Sequence, residues 1–147
     1  MRNNHIAIIG GGQLGMLLAQ AAVTYPAKVS VYDPNPTCSA AFFTNRFQQG
    51  GFDDHQAIVD FAQEADAVIF ETEQVSLEAL EKLEHMGKKV LSRPQDLQWI
   101  KNKARQREAL AEKGFRVPTF QRVSAEEVKK YSGPFPVVQK WQQGGYD

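Results

Sequence analysis

Cysteine is almost absent: Cys38 stands alone in 147 residues. That excludes an internal disulfide and a cysteine metal cluster, and it fits a reducing cytosol. Histidine is sparse too. His5, His55 and His85 are scattered singly, without the H-E-x-x-H spacing that puts two ligands on one helix face, so each reads as a packing or surface residue. Neither charge sign is in surplus: Lys+Arg and Asp+Glu number 17 each. A nucleic-acid partner therefore has no electrostatic footprint, and no cationic amphipathic stretch points to a membrane surface. No apolar run approaches the roughly 20 residues that span a bilayer. The run Ile6–Ile9 enters glycines at once, too early for a signal peptide. There is no internal repeat, no G-x-S-x-G elbow and no G-x-x-x-x-G-K-[ST] loop. What is present is ordinary for a globular protein with one good core: 42% hydrophobic and 23% charged residues.

Strand and helix signals alternate through the first part of the chain. His5–Ile9 is a short continuous apolar run, as in a strand buried on both faces. Gly10-Gly11-Gly12 turns the chain, and Leu14 to Val23 is rich in helix formers. Lys28–Tyr32 is a second strand, closed by Asp33-Pro34-Asn35-Pro36. A short strand is expected around Arg46–Gln48, then a helix from His55 to Glu64 capped by Asp53-Asp54. Ala67–Phe70 is a further strand. Ser76 caps a helix Leu77–Met86 that Gly87 stops, and Lys89–Leu91 is the next strand. This order predicts an α/β fold with a parallel sheet covered by helices on both faces. The pattern then changes. Pro94 to Lys113 reads as one long helical stretch with Leu97, Ile100, Ala104 and Leu110 as buried positions. Thr119–Val123 and Pro136–Lys140 read as strands around a short helix, Ala125–Tyr131, capped by Ser124. Residues 1–95 are expected to form one domain and residues 96–147 the start of another. Trp99, Trp141 and the phenylalanines read as packing.

Four features bear chemistry. Gly10–Gly15 satisfies G-x-G-x-x-G between a strand and a helix. Such a turn lets backbone N–H groups approach an anion at a helix N-terminus. Asp33, at the end of the second strand, stands where a dinucleotide fold places a carboxylate on a ribose. The pair fits NAD, another phosphate ligand, or a purely structural turn. Glu71-Thr72-Glu73 follows a strand, at the sheet edge where ligands bind. These acids fit a ligand amine or ribose as well as a solvated loop. The run Lys101, Lys103, Arg105, Arg107 has the look of a solvated helix face from which one cation reaches a phosphate. Lys140 ends an apolar segment just before Gly144-Gly145, which suits either a triphosphate or an edge-strand lysine. The chain closes on that glycine-rich segment. Because such loops connect elements, the sequence reads as the front of a larger enzyme.

G-G-G-Q-L-G at Gly10–Gly15, Asp33-Pro34, V-I-F-E-T-E-Q-V at Val68–Val75 and K-W-Q-Q-G-G-Y-D at Lys140–Asp147 occur in that order. Across essentially the whole chain this resembles the N-terminal part of the 5-(carboxyamino)imidazole ribonucleotide synthases. These are ATP-grasp ligases of purine biosynthesis. The resemblance implies a Rossmann-like pre-ATP-grasp domain that does not bind NAD, followed by the beginning of an ATP-grasp domain. It implies Mg-ATP, bicarbonate and aminoimidazole ribonucleotide as small-molecule substrates, a cytoplasmic homodimer, and no nucleic-acid or membrane partner. It assigns Gly12, Gln13, Leu14, Glu71, Glu73 and Tyr146 to the ribonucleotide, and Lys103, Lys140 and Gly145 to ATP. It makes Asp147 the group facing the reacting amine, and it puts the magnesium ligands beyond residue 147. Two departures stand out: Lys103 where arginine is common, which loses the guanidinium fork, and F-E-T-E-Q-V where an aromatic-Glu-aromatic-Glu-Asn run is usual. A formate-using glycinamide ribonucleotide transformylase shares the same plan, and an NAD-dependent oxidoreductase accounts for the glycine turn and Asp33.

Overall fold

The computed structural model describes residues 4–44 and 46–144. The chain divides into two compact units, Met1–Gln98 and Trp99–Asp147.

The first unit is built on a five-stranded, all-parallel sheet in the order β3-β2-β1-β4-β5. The strands are β1 (Asn4–Ile9), β2 (Ala27–Asp33), β3 (Arg46–Gln49), β4 (Ala67–Phe70) and β5 (Lys89–Leu91). Helices α1 (Gln13–Ala22), α2 (His55–Ala62) and α3 (Leu77–His85) connect them, with a 3-10 turn at Ser39–Phe43. The alternation along β1 and β2 decides which helix covers which face. Ile8 and Val31, paired in register, point to one face and pack with Ala19 of α1, Cys38 and Ala40. Ala7, Ile9 and Tyr32 point to the other, with Ile58 and Phe61 of α2 and Leu80 and Leu83 of α3. The connections from β1 to β2 and β3 run one way along the sheet and those from β3 to β4 and β5 the other, so right-handed connections put α1 opposite α2 and α3. The order therefore reverses beside β1, and the carboxyl ends of β1, β2 and β4 flank that reversal.

Local signals set the boundaries as expected for most elements. Asp54 accepts the Ala57 N–H at 3.0 Å and opens α2. Ser76 accepts the Ala79 N–H at 3.2 Å and opens α3. Gly87, at φ 79°, stops α3.

The second part of the chain corrects three expectations. The stretch Pro94–Lys113 is two helices, α4 (Pro94–Lys101) and α5 (Lys103–Glu112). Asn102 breaks it, because its side chain accepts the N–H groups of Ala104 and Arg105 at 3.1 and 3.0 Å and so starts a new helix. Leu97 and Ala104 are buried, but Ile100 and Leu110 are exposed. Neither Thr119–Val123 nor Pro136–Lys140 forms a strand of the sheet among the described residues. An apolar segment becomes a strand only with a partner ladder, and Val138 stands 82% exposed. Between them lies α6 (Ala125–Lys129), opened by a capping box in which the Glu127 N–H donates to Ser124 Oγ and the Ser124 N–H to Glu127 Oε2.

Candidate functional site

The glycine turn follows β1 and is held at each end. The Gly10 N–H donates to the Tyr32 carbonyl at 2.9 Å. Gly10 itself sits at φ 105°, a conformation open to glycine. The Gly11 N–H donates to Asp33 Oδ2 at 2.7 Å, and the Gly11 carbonyl accepts the Ala40 N–H at 2.9 Å. A side chain at Gly11 would run into Cys38 Sγ, and one at Gly15 into the Gly10 carbonyl. Two of the glycines are therefore explained by packing alone: Gly11 makes room for a buried sulfur and Gly15 lets α1 close on the turn.

Gly12 is different. A methyl built on it would meet nothing nearer than Glu71 Oε2, at 3.8 Å. It is the residue before α1, which begins with no side-chain cap and no acid in its first turn. The helix thus presents its first N–H groups and its partial positive end at this spot.

Glu71 reaches the same spot from β4. Its N–H donates to the Ile9 carbonyl at 2.9 Å, which extends the sheet ladder by one residue and lays its side chain along the turn. Burial pushes its carboxyl above the usual range, and the charges of Asp33 and then Glu73 push it the same way. Beside it lies a groove of about 420 Å³ lined by Leu14, Leu17, Leu18, Phe70 and Glu71. The edge therefore offers backbone donors at Gly12, an apolar wall at Leu14 and a carboxyl that tends to keep its proton. Glu73, half-buried in the loop beyond, is near enough for its charge to act on Glu71.

Asp33 is turned inward. It is 8% exposed, and its two oxygens accept the N–H groups of Gly11 (2.7 Å) and Asn35 (2.8 Å). It is spent on the turn rather than presented to a ribose. Sequence reasoning missed the parts that hold the turn from below, Cys38 and Ala40. The available signal was the small, apolar Cys38-Ser39-Ala40-Ala41 run after the Asp-Pro turn.

A larger cavity, about 650 Å³, is lined by His5, Val23, Ala27, Lys28, Val29, Arg46, Glu64 and Asp66. It lies at the amino ends of the strands, away from the glycine turn. Its charges are largely consumed: the His5 N–H donates to Asp66 at 2.8 Å, and Arg46 lies 3.5 Å from Glu64. We place the site at the other end, where open backbone donors and a perturbed carboxyl meet.

In the second unit Lys103 opens α5. Its N–H donates to the Gln142 carbonyl at 2.9 Å and its Nζ to the Gly144 carbonyl at 2.8 Å, which brings the expected cation to the glycine-rich segment. Lys140 is exposed. Gly145, Tyr146 and Asp147 lie outside the described residues. Among the described residues no group of three or more His, Cys, Asp or Glu gathers in a way that holds a metal ion. No helix there is long and apolar enough to cross a membrane.

A parallel α/β sheet of this kind places ligands, where it binds them, at the carboxyl ends of its strands beside the switch point. The sequence profile for the ribonucleotide synthetase preATP-grasp domain matches residues 3–101, and the chain belongs to that family. The N5-carboxyaminoimidazole ribonucleotide synthase of Synechococcus elongatus is 34% identical over 146 residues, 97% of this chain and 37% of that protein. The crystal structure of the N5-carboxyaminoimidazole ribonucleotide synthetase of Thermotoga maritima superposes with a TM-score of 0.83 at 34% identity, over 97% of this chain and 39% of that one. The Aspergillus clavatus N5-carboxyaminoimidazole synthase, solved with ADP and 5-aminoimidazole ribonucleotide, matches at 30% identity and a TM-score of 0.68, over 78% of this chain and 31% of that one. The chain thus spans less than two-fifths of the length of these relatives.

Proposed function

We propose that this chain supplies the ribonucleotide-binding edge of an ATP-grasp ligase that carboxylates the exocyclic amine of 5-aminoimidazole ribonucleotide. Residues 1–95 serve as the pre-ATP-grasp domain and residues 96–147 as the start of the ATP-grasp domain. The observation that carries this reading is the meeting of Gly12, Leu14 and Glu71 at the carboxyl end of the parallel sheet, in a chain whose relatives are synthases of this kind.

In the proposed reaction, bicarbonate attacks the γ-phosphorus of ATP, and ADP leaves. The resulting carboxyphosphate is an activated acyl group, which bicarbonate itself is not. The ribonucleotide amine attacks its carbonyl carbon, or carbon dioxide released from it. The N–C bond forms, phosphate departs with the bonding pair of the C–O bond, and the amine proton passes to Asp147. Gly12 and Gln13 offer backbone N–H groups to the ribonucleotide. Leu14 forms a wall, while Glu71, Glu73 and Tyr146 contact its polar groups. Lys103, Lys140 and Gly145 serve the ATP phosphates, where positioning and charge neutralisation dominate the chemistry. Magnesium, when bound, would supply charge neutralisation at the triphosphate; the described residues gather no ligand set for it. The protein works as a cytoplasmic homodimer in this reading, on the strength of the resemblance alone.

The NAD reading loses its support at Asp33, whose two oxygens are engaged by the protein's own backbone. The test is a pair of NMR titrations of the isotopically labelled chain, one with aminoimidazole ribonucleotide and one with NAD. Ribonucleotide is expected to move the amides of Gly12, Gln13, Leu14 and Glu71, and NAD to leave them unmoved. Shifts with NAD alone, or shifts confined to the His5–Asp66 end, would overturn the assignment.

A further inference from the structure

We propose that Asp33 is a positioning residue for the ribonucleotide: from beneath, it locks the Gly10–Gly12 turn in its binding shape without touching the ligand. This rests on the reading above, which puts the ribonucleotide at Gly12.

One carboxylate holds both arms of a clamp. Oδ2 takes the Gly11 N–H at 2.7 Å, and Oδ1 takes the Asn35 N–H at 2.8 Å. Asn35 starts the segment that returns to the turn: its carbonyl accepts the Cys38 N–H at 3.1 Å. That segment delivers the Ala40 N–H to the Gly11 carbonyl at 2.9 Å and seats Cys38 Sγ against Gly11. Fixing the Gly11 carbonyl fixes more than one atom. It belongs to the Gly11–Gly12 peptide, which is planar and trans, so its N–H points opposite to its carbonyl. With the carbonyl aimed at Ala40, the Gly12 N–H is aimed away from the clamp. An unclamped Gly-Gly-Gly run samples many peptide orientations, and a ligand binding to it loses that freedom on association. The clamp removes this cost in advance. Burial, and after it the charge of Asp33, also pushes the Glu71 carboxyl up, which limits the negative charge that meets a phosphate ester.

Asp33→Asn separates this role from mere support. Asparagine accepts one of the two N–H groups and turns its own NH₂ on the other, so one arm of the clamp opens. The comparison is Ser30→Ala, which removes a buried hydroxyl in the middle of β2 that is bonded to His5 Nε2 at 2.9 Å and, among the described residues, hydrogen-bonds neither the turn nor Glu71. Calorimetric titration of the full chain with aminoimidazole ribonucleotide is expected to show affinity about tenfold weaker or more for Asp33→Asn, as for loss of a charge-assisted bond. Ser30→Ala is expected to lower the melting temperature with affinity within about twofold of the unsubstituted chain. The pH midpoint of Glu71, followed by carboxyl-carbon NMR, is expected to fall in Asp33→Asn alone. Equal affinity of Asp33→Asn and the unsubstituted chain overturns the positioning role and leaves the ribonucleotide reading standing. No binding by the unsubstituted chain overturns that reading and this role together. Should Asp33→Asn not fold, amide exchange on the unsubstituted chain decides. Protection of Gly11 before ligand is added, with Gly12 gaining protection after, supports the clamp. Free exchange of Gly11 contradicts it.

Discussion

Gly12→Ala and Gly15→Ala test opposite roles for neighbouring glycines. Gly12 stands at φ −64°, which any residue adopts, with open space around a would-be Cβ. Alanine there is expected to cost below about 1 kcal/mol, the difference between weak and poor N-cap residues, while ribonucleotide affinity falls as the added methyl holds the ligand off the backbone. At Gly15 the Cβ would enter the Gly10 carbonyl, which is backbone and cannot swing aside. Overpacking of this kind typically costs about 1–3 kcal/mol or more, so Gly15→Ala is expected to lower the melting temperature sharply in chemical or thermal unfolding. The roles reversed, with Gly12→Ala unfolding the chain, would contradict the account. Glu71 carries a pH signature. Its folded carboxyl binds its proton more tightly than the ordinary value of 4.5 allows, chiefly through burial and then through Asp33 and Glu73. Its contribution to stability is therefore complete below about that ordinary value and is lost as pH rises through the folded one. Glu71→Gln is expected to flatten this part of the stability–pH curve, and an unchanged curve would count against the buried carboxyl. The glycines and acids were legible in the sequence because their types and spacing are explicit. The inward turn of Asp33 was not, since its direction depends on the Asn35 and Gly11 amides that the fold brings to it.

At the scale of elements, apolar runs bounded by glycine and Asp-Pro marked β1, β2 and β4, and cap residues marked α2 and α3, because those signals are local. The break between α4 and α5 was overlooked although its cause is also local: Asn102 competes for the Ala104 and Arg105 amides. Charge-rich periodicity on both sides hid it. Asn102→Ala is expected to cost about 1 kcal/mol, the usual loss for a cap, seen as lower helix content and easier unfolding of α5 by circular dichroism and amide exchange. A neutral result would mean that packing, not capping, sets the break. The segments Thr119–Val123 and Pro136–Lys140 are not strands for another reason. A few apolar and β-branched residues state a preference, but a ladder needs a second strand, and sequence proximity does not say whether one is there.

For the whole molecule, the family profile ends near the division between the two units. Leu97 is buried in the core of the first, on the stretch just before that division. A chain of residues 1–101 is accordingly expected to fold on its own with a cooperative unfolding transition. Loss of cooperativity would show that the sheet depends on residues 102–147. The architecture was legible because short strand signals alternating with helices admit few parallel arrangements. The family was legible through four ordered motifs, not through any catalytic cluster. The central claim is that this chain forms a working ribonucleotide edge, and a chimera tests it most directly. In it, this chain replaces the matching part of the Thermotoga maritima relative, and phosphate release is followed with Mg-ATP and bicarbonate, with and without aminoimidazole ribonucleotide. The account predicts release that depends on the ribonucleotide and is abolished or strongly reduced by Asp147→Asn. A folded chimera that binds ATP but shows no response to the ribonucleotide would contradict it.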